Sequence, residues 1–317
     1  MPGSNFPISM NQSPASLSRR GLLKTGAAFA ATTLLTPSGI AKKATAKIDP
    51  DWKISMGRIK QSVMGWCFNQ KPNPIGGVEL AKACKDIGIP AMEGISRSDY
   101  PAVRKMGLKI SLVGSHSFKT GPFNRADHDK IVQTLKEAID VAVDVDCKSV
   151  ITFTGMRVPG ISDKEGERNC IDGWKKAVGY AEKKGVNLVL EHLNSVDDSH
   201  PMKGHPGYFG DDVDHCIDMI RKVDSPNMKL LFDIYHVSIM NGDIIRRIRK
   251  YKDYIGHYHT AGNPGRAELD GFQEINYPAV MKEIIKTGYD LYVAQEFIPT
   301  WDDKIGALRH AAKVCDV

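Results

Sequence analysis

The order of apolar and amphipathic segments is the feature of this chain that most restricts its fold. From residue 60 onward, short apolar runs typical of buried strands alternate with segments whose apolar residues recur at the spacing of one helix face. The strand-like runs are residues 60–67, 91–95, 109–113, 149–153, 187–191, 228–233, 254–260 and 291–297. The helical patterns are residues 77–87, 100–105, 128–145, 164–184, 213–222, 243–251, 277–287 and 304–315.

Eight strand–helix pairs predict an α/β fold, a single (β/α)8 TIM barrel over residues 58–317. Gly185 and Gly288 follow predicted helices just before strands, where a glycine commonly ends a helix. A doubly wound sheet is the alternative, and it would be expected to show a glycine-rich phosphate turn after its first strand. The segment SVMGWC (62–67) contains no such turn, which favours the barrel.

Four of the later runs end in a side chain that can bind a metal. Glu191 ends NLVLE, Asp233 ends KLLFD, His259 ends YIGHYH and Glu296 ends LYVAQE. A single aspartate at such a position is more often a helix cap. In a barrel, however, all strands end at one mouth, so side chains from four neighbouring strands would meet there. Three carboxylates and one imidazole predict a site for Mg²⁺ or Mn²⁺, with Zn²⁺ and Co²⁺ as alternatives.

Two long connections follow strands at this end of the predicted barrel. They are residues 194–210 and 261–276. Loops of this length usually carry function, and in a barrel they rise over the mouth where substrate binds. We therefore expect a largely pre-formed pocket that the 194–210 loop partly closes.

Five segments resemble one known family. They are LEHLNS (190–195), KLLFDIYHVSIMNGD (229–243), YIGHYHTAGNPGR (254–266), QEINYPAVM (273–281) and GYDLYVAQEFIP (288–299). These segments look like the hydroxypyruvate isomerase group of the xylose-isomerase-like sugar isomerase and epimerase barrels, and the resemblance covers residues 58–317. It implies one divalent metal held by Glu191, Asp233, His259 and Glu296. Many relatives have Gln where His259 stands, so the preferred metal stays open.

The resemblance also implies an activity. A proton would move between adjacent carbons of a small hydroxy-keto acid or free sugar through an enediolate, as in the conversion of hydroxypyruvate to tartronate semialdehyde. Glu191 and Glu296 would act as base and acid. A divalent cation would stabilise the negative charge that develops on the substrate oxygens.

Four further residues are candidates for substrate contact. By resemblance, Arg266 would hold a substrate oxygen or carboxylate with paired hydrogen bonds, and His236 would bond an enediolate oxygen. His116 ends the third strand-like segment, and His205 lies in the 194–210 loop. Each also has a structural interpretation: the histidines as satisfied buried side chains, and Arg266 as a brace to an acidic residue of its own loop.

Two other functions stay open at this stage, and a third is disfavoured. A 3-epimerase of non-phosphorylated ketoses would use the same metal and the same two carboxylates. A non-catalytic, exported sugar-binding barrel would tolerate the loss of either glutamate, yet both are present. The apurinic endonucleases share the barrel, but they use three zinc ions, many more histidines and a basic face for DNA.

Residues 1–46 have the pattern of an export signal. The segment SRRGLLK (18–24) carries a twin arginine, an apolar stretch follows at residues 26–35, and ATA (44–46) has the form of a cleavage site. We predict export by the twin-arginine translocation (Tat) machinery, a periplasmic mature protein and a linker at residues 47–57. No run approaches the roughly 18 apolar residues of a membrane span, so the mature form should have none.

The net charge and the cysteines exclude other partners. Residues 1–46 contain five basic and no acidic residues, so of the net charge of +6 only about +1 belongs to the mature chain. This balance gives no case for nucleic acid. The six cysteines form no C-x-x-C, which excludes a zinc ribbon and a dithiol redox motif. The expected partner is a small-molecule substrate, and the oligomeric state, a homo-oligomer included, stays open.

Overall fold

The structure is a computed structural model that describes residues 48–317. The predicted export signal lies outside the described residues, and the domain boundaries at residues 46 and 57 stay predictions. The described part of the predicted linker contacts the end of the chain. The carboxylate of Asp316 accepts the backbone N–H groups of Ser55, Met56 and Gly57 at 2.8–3.1 Å.

Eight parallel strands form the centre of residues 48–317. They are β1 (Lys60–Val63), β2 (Ala91–Met92), β3 (Lys109–Ile110), β4 (Ser149–Thr152), β5 (Asn187–Glu191), β6 (Met228–Asp233), β7 (Ile255–Thr260) and β8 (Tyr292–Gln295). Strands β4 to β8 and then β1 pair in order, and β2 pairs with β3. Parallel bridges Met64–Glu93 and Val113–Val150 join β1 to β2 and β3 to β4. The ring is therefore complete, which confirms the predicted (β/α)8 barrel.

Ten α-helices accompany these strands in the described part of the chain. They are α1 (Gly65–Phe68), α2 (Gly77–Ile87), α3 (Tyr100–Lys105), α4 (His128–Asp144), α5 (Asp163–Lys184), α6 (Val213–Val223), α7 (Ile234–Met240), α8 (Ile244–Tyr251), α9 (Tyr277–Lys286) and α10 (Lys304–Cys315). Eight of them match the predicted segments within a few residues. Helices α1 and α7 were not predicted.

Helix α1 corrects the predicted strand 60–67, which ends at Val63. After Met64 the chain turns against the segment that follows β2, where Gly65 donates its N–H to the carbonyl of Glu93 at 2.8 Å. A Cβ on Gly65 would lie 2.4 Å from the side chain of Ile95, so this close approach requires glycine. The apolar residues after β1 therefore belong to a helical turn.

Helix α7 begins at the end of β6, and the side chain of Asp233 caps it. Asp233 Oδ1 accepts the backbone N–H groups of Tyr235 at 2.8 Å and His236 at 3.1 Å. The capping role considered for Asp233 is thus real, but it uses only one of the two carboxylate oxygens. The second oxygen, Oδ2, remains available to a ligand at the mouth of the barrel.

Alternation along the strands decides which side chains face the barrel interior. Leu230 and Phe232 belong to the main hydrophobic core, while Leu231 belongs to a smaller cluster that also contains Val189. Because successive side chains of a strand point to opposite faces, Glu191 and Asp233 lie on the same side as Val189 and Leu231. The alternation of side chains along the strands therefore places the carboxylates of Glu191 and Asp233 in the barrel interior.

Two further features of the described residues are their lack of a membrane-spanning helix and of disulfides. No helix among them is long and apolar enough to cross a membrane. All six cysteines are buried and none is paired in a disulfide.

Candidate active site

The four predicted metal ligands meet at the C-terminal mouth of the barrel. Glu191 and Asp233 are the last residues of β5 and β6, His259 is the next-to-last residue of β7, and Glu296 follows β8 directly. Their exposed fractions are 5%, 1%, 0% and 4%. One potential ligand atom from each residue lies within 4.8 Å of the others. Four residues that are up to 105 positions apart in the chain therefore share one small volume.

Burial and neighbouring charges shift the pKa values of the three carboxylates in this site. Burial and the neighbouring charge of Glu296 raise the pKa of Asp233 to about 8, and the same causes raise the pKa of Glu191. Burial would also raise the pKa of Glu296, but the charges of Arg266 and His259 lower it to about 2. Carboxylates crowded together in a buried site repel each other, and a cation among them relieves the repulsion.

The residues present fit a divalent metal. Glu296 Oε2 lies 2.6 Å from His259 Nδ1 and 2.7 Å from an Arg266 nitrogen, yet it is buried and has no hydrogen bond of regular geometry. His259 Nδ1 is also 3.2 Å from Glu191 Oε1. Three carboxylates and one imidazole nitrogen are a donor set for a divalent cation.

We expect metal affinity to increase as the pH rises from about 6 to about 8. Asp233, with its pKa raised to about 8, holds a proton in the metal-free protein at neutral pH, so protons compete with the metal. Each displaced proton changes the affinity by up to tenfold per pH unit in this range. Calorimetry in two buffers of different ionisation enthalpy should show close to one proton released from Asp233 per metal bound at pH 7, and uptake with no proton release would contradict this expectation.

The same shift predicts how the metal-free protein responds to pH. Between the usual value of 3.8 and the folded value of about 8, the folded state keeps a proton on Asp233 that the unfolded chain has lost. This contribution to the free energy of unfolding therefore decreases as the pH rises through that window. Bound metal should remove the effect.

Arg266 lies against the carboxylates and does not brace its own loop. Its guanidinium approaches Glu296 Oε2 at 2.7 Å and Asp233 Oδ2 at 3.7 Å, and it donates to the carbonyl of Met202 at 2.7 Å. The guanidinium also lies 5.4 Å above the ring of Trp66 and 5.8 Å from that of Tyr235. Arg266 therefore connects the 194–210 loop to the mouth and brings a buried positive charge to the candidate metal site.

His236 presents a proton to the site. Its Nδ1 accepts the backbone N–H of Asn194 at 3.1 Å, so the ring proton lies on Nε2. Nε2 is buried without a hydrogen-bond partner and lies 3.6 Å from Asp233 Oδ2. Burial and the charge of Arg266 lower the pKa of His236 well below 6.5. The ring is thus a neutral donor with a free N–H at the mouth, as its predicted role requires.

The other two candidate histidines differ in what they offer. His116 lines the pocket, but Nε2 lies 2.9 Å from Thr152 Oγ1 and Nδ1 lies 2.8 Å from the carbonyl of Thr120. Both ring nitrogens of His116 therefore have protein partners, and the ring forms part of the pocket wall. The His205 ring packs against Phe118 with centroids 4.2 Å apart and planes tilted by 44°, and its centroid lies 6.0 Å from that of His236. The 194–210 loop thus brings His205 next to the candidate site.

Two buried residues of the site were not found by sequence reasoning. Glu93 follows β2 and His257 lies in β7, and both have an exposed fraction of 0%. Glu93 contacts His259 Nε2 at 2.8 Å and His257 Nε2 at 2.9 Å. The available signals were a glutamate inside an apolar run and a histidine two positions before His259, which places both imidazoles on one face of the strand.

A pocket of about 290 Å³ opens beside the carboxylates. Glu191 and Glu296 are among the residues that line it, together with the apolar residues Trp66, Leu112 and Phe153. Phe68, two residues after Trp66, does not line the pocket and packs in the core against Phe297.

The fold and the site define the class to which the protein belongs. Residues 81–314 match the family model of the xylose isomerase-like TIM barrel, so the chain belongs to that family. A crystal structure of a protein described as AP endonuclease, family 2, from Brucella melitensis has the same fold. Its TM-score is 0.67 at 22% identity, and the match covers 78% of this chain and 95% of that one.

Two curated relatives are similar over most of the barrel. A Xenopus laevis protein, provisionally named a hydroxypyruvate isomerase, is 31% identical over 272 residues, which are 80% of this chain and 95% of that protein. The 2-oxo-tetronate isomerase of Pectobacterium atrosepticum is 27% identical over 235 residues, or 69% of this chain and 85% of that protein. The family and these relatives confirm the prediction of an enzyme of the isomerase class.

Proposed function

We propose that this protein is a metal-dependent isomerase of small hydroxy-keto acids, with the conversion of hydroxypyruvate to tartronate semialdehyde as the leading reaction. One observation carries the proposal. Glu191 and Glu296 line one pocket, and each has a ligand atom within 4.8 Å of ligand atoms of Asp233 and His259. Two carboxylates beside a candidate cation site are what a proton transfer between neighbouring carbons needs.

The proposed reaction moves hydrogen and leaves the composition of the substrate unchanged. One glutamate removes the proton from the carbon that bears the hydroxyl group, and the electron pair of that C–H bond forms the double bond of an enediolate. A glutamate then returns a proton to the carbon that carried the carbonyl. The hydroxyl proton shifts to the other oxygen, so a ketone becomes an aldehyde.

The chain's other site residues support the charge that develops. Glu191, Asp233, His259 and Glu296 would hold a divalent metal, which supplies Lewis-acid stabilisation of negative substrate oxygens. The buried N–H of His236 offers a hydrogen bond to such an oxygen. Arg266 adds a fixed positive charge that is already ordered by Trp66 and Tyr235, so little reorganisation is needed during the reaction.

Arg97 supports an acid over a neutral sugar as substrate. Among the residues that line the pocket, all of which lie in the described part of the chain, Arg97 is the one arginine or lysine. It donates to the carbonyl of Gly114 at 3.0 Å, which leaves other N–H groups of the guanidinium for a ligand. A carboxylate at the far end of the substrate would be attracted to this charge.

Replacing Arg97 with glutamine is expected to raise KM for hydroxypyruvate about tenfold with little change in kcat. A hydrogen bond to a charged group contributes about 1.5–3 kcal/mol, and we take the lower end because Arg97 is exposed. Steady-state kinetics on a neutral ketose should be unaffected. Arg104→Gln, which removes an exposed arginine of α3, is the matched control. An unchanged KM for the acid would exclude Arg97 from substrate binding.

The test of the proposed function is product analysis by NMR. The mature protein, loaded in turn with Mg²⁺, Mn²⁺, Co²⁺ and Zn²⁺, is incubated with hydroxypyruvate and with free ketoses. Formation of tartronate semialdehyde supports the proposal. Inversion at C3 of a ketose without acid turnover would establish the 3-epimerase instead, and sugar binding without turnover would establish a non-catalytic barrel.

We also propose that the protein is exported by the Tat route and acts in the periplasm. The support is the twin arginine at Arg19 and Arg20 with the apolar stretch and cleavage-site pattern that follow. Fractionation of cells that express the full chain should find the mature protein in the periplasm. Lysine at both arginine positions should keep it in the cytoplasm, and cytoplasmic wild-type protein would contradict the proposal.

A further inference from the structure

Glu93 is a buried carboxylate beneath the candidate metal site, and its contacts are unusually complete. Oε1 lies 2.8 Å from His259 Nε2, and His257 Nε2 lies 3.2 Å from Oε1, its hydrogen-bond partner, and 2.9 Å from Oε2. Ser111 Oγ donates to Oε2 at 2.6 Å, and Ser62 lies 2.5 Å beyond in the same chain of hydrogen bonds. A fully buried charge requires such donors, because an isolated carboxylate in the interior is very unfavourable.

The contacts settle which nitrogen of each imidazole carries a proton toward Glu93. A carboxylate accepts hydrogen bonds, so Nε2 of His259 and Nε2 of His257 must donate. His257 Nδ1 is buried without a partner, which agrees with a ring that donates through Nε2 alone. His259 therefore turns its Nδ1 toward Glu191, Asp233 and Glu296.

We propose that Glu93 is a positioning residue: by holding the Nε2 proton of His259, it presents Nδ1 of that ring as the nitrogen donor to the metal. The inference rests on the proposed metal site and extends it to a residue that touches neither metal nor substrate. A carboxylate behind a metal-binding histidine fixes the ring and makes its free nitrogen more basic, and losing it typically weakens metal binding by 10- to 100-fold. His257 and Ser111 in turn hold Glu93.

A second metal bound by Glu93, His257 and His259 is the rival interpretation, since their ligand atoms also lie within 4.8 Å of each other. It would require both Nε2 atoms to give up the protons that now satisfy Glu93. It would also leave the bond from Ser111 at 2.6 Å competing with the metal for the same oxygen. The positioning role therefore predicts one metal per chain, and two per chain would overturn it.

The first test measures the metal affinity of the Glu93→Gln variant of the mature protein. Mn²⁺ is the probe, and a chelator competes for it. The dissociation constant should rise about 10- to 100-fold. Glu283→Gln is the matched control, because Glu283 is a buried carboxylate of α9, in the helical layer, and pairs with Arg249 of α8. Ser111→Ala removes only one donor from Glu93 and should produce a smaller shift in the same direction.

The second test uses the wild-type chain and does not depend on a variant that folds. With ¹⁵N-labelled histidine and ¹¹³Cd²⁺ as the metal, NMR should show cadmium coupled to Nδ1 of His259 and a proton on Nε2. Cadmium on Nε2 would overturn the proposal, and so would equal Mn²⁺ affinities for wild type and Glu93→Gln. Wild-type protein that binds no divalent metal would overturn the proposed function as well. Tight metal binding with the predicted Nδ1 contact but no isomerisation would overturn the function alone.

Discussion

Replacement of Glu191 or Glu296 with glutamine is expected to lower kcat for isomerisation by about 10²- to 10⁴-fold, the usual contribution of a positioned acid–base group. Both side chains are buried and line the same pocket, so each can reach a bound substrate. Glutamine keeps the size of the side chain and one carbonyl oxygen but cannot accept a proton. The chemical step should therefore suffer more than the binding of substrate.

Metal content has to be measured alongside the rate, because both glutamates are also candidate ligands. The informative comparison is made at saturating Mn²⁺ or Mg²⁺, with metal per chain determined in each sample. Glu274→Gln is the control, since Glu274 is an exposed loop residue that accepts a hydrogen bond from Asn263 at 2.7 Å. A fully loaded Glu191→Gln or Glu296→Gln protein that keeps more than about a tenth of the rate would remove that residue from proton transfer.

Replacement of Asp233 with alanine is expected to abolish metal binding at micromolar metal and to destabilise the protein through a second, separable effect. The Oδ2 atom faces the candidate metal site, while Oδ1 caps α7 through the N–H groups of Tyr235 and His236. Loss of the negative charge removes one of three carboxylates that attract the cation. Loss of the cap should lower the free energy of unfolding by about 1 kcal/mol.

Asparagine at the same position separates the two effects. Asp233→Asn keeps an oxygen that can cap α7 but carries no charge, so it should lose metal as the alanine variant does and keep the cap. Metal content by mass spectrometry and thermal unfolding of the metal-free variants provide the two readouts. Equal metal content in wild type and both variants would contradict the four-residue site.

The second half of the barrel could be predicted from sequence because its strands are long enough to show their pattern. Strands β5, β6 and β7 have five or six residues, and each ends in a polar side chain that breaks an apolar run. Strands β2 and β3 have only two paired residues each. They were predicted from the apolar runs 91–95 and 109–113, but the runs did not show that only two residues of each would pair.

The clustering of the four candidate ligands could be predicted for the same reason, and the contacts of Glu93 and His257 could not. Glu191, Asp233, His259 and Glu296 mark the ends of runs, where strand geometry brings them together. Glu93 and His257 lie within predicted runs, where a polar residue carries no sign of what it will touch. Their contact joins residues 164 positions apart, and only the closed barrel shows that it exists.

The sequence left two orientations of Arg266 open. The resemblance implied a substrate contact at the mouth, and acidic neighbours allowed an ion pair within its own loop. Glu268 instead accepts hydrogen bonds from Thr300 and Trp301. Arg266 adopts a positive φ of 53°, and its guanidinium lies at the mouth, 2.7 Å from Glu296 Oε2. Such a backbone conformation depends on how the whole loop packs, and no pattern in the sequence predicts it.

The most direct test of the account is hydrogen exchange between solvent and substrate, catalysed by the metal-loaded protein. In deuterated water, NMR should show deuterium entering the carbon-bound positions of hydroxypyruvate and its product over many turnovers. The exchange should stop when a chelator removes the metal, return when metal is restored, and fall with Glu296→Gln. Wild-type protein with one metal per chain that leaves hydroxypyruvate and every free ketose tested fully protonated would contradict the account.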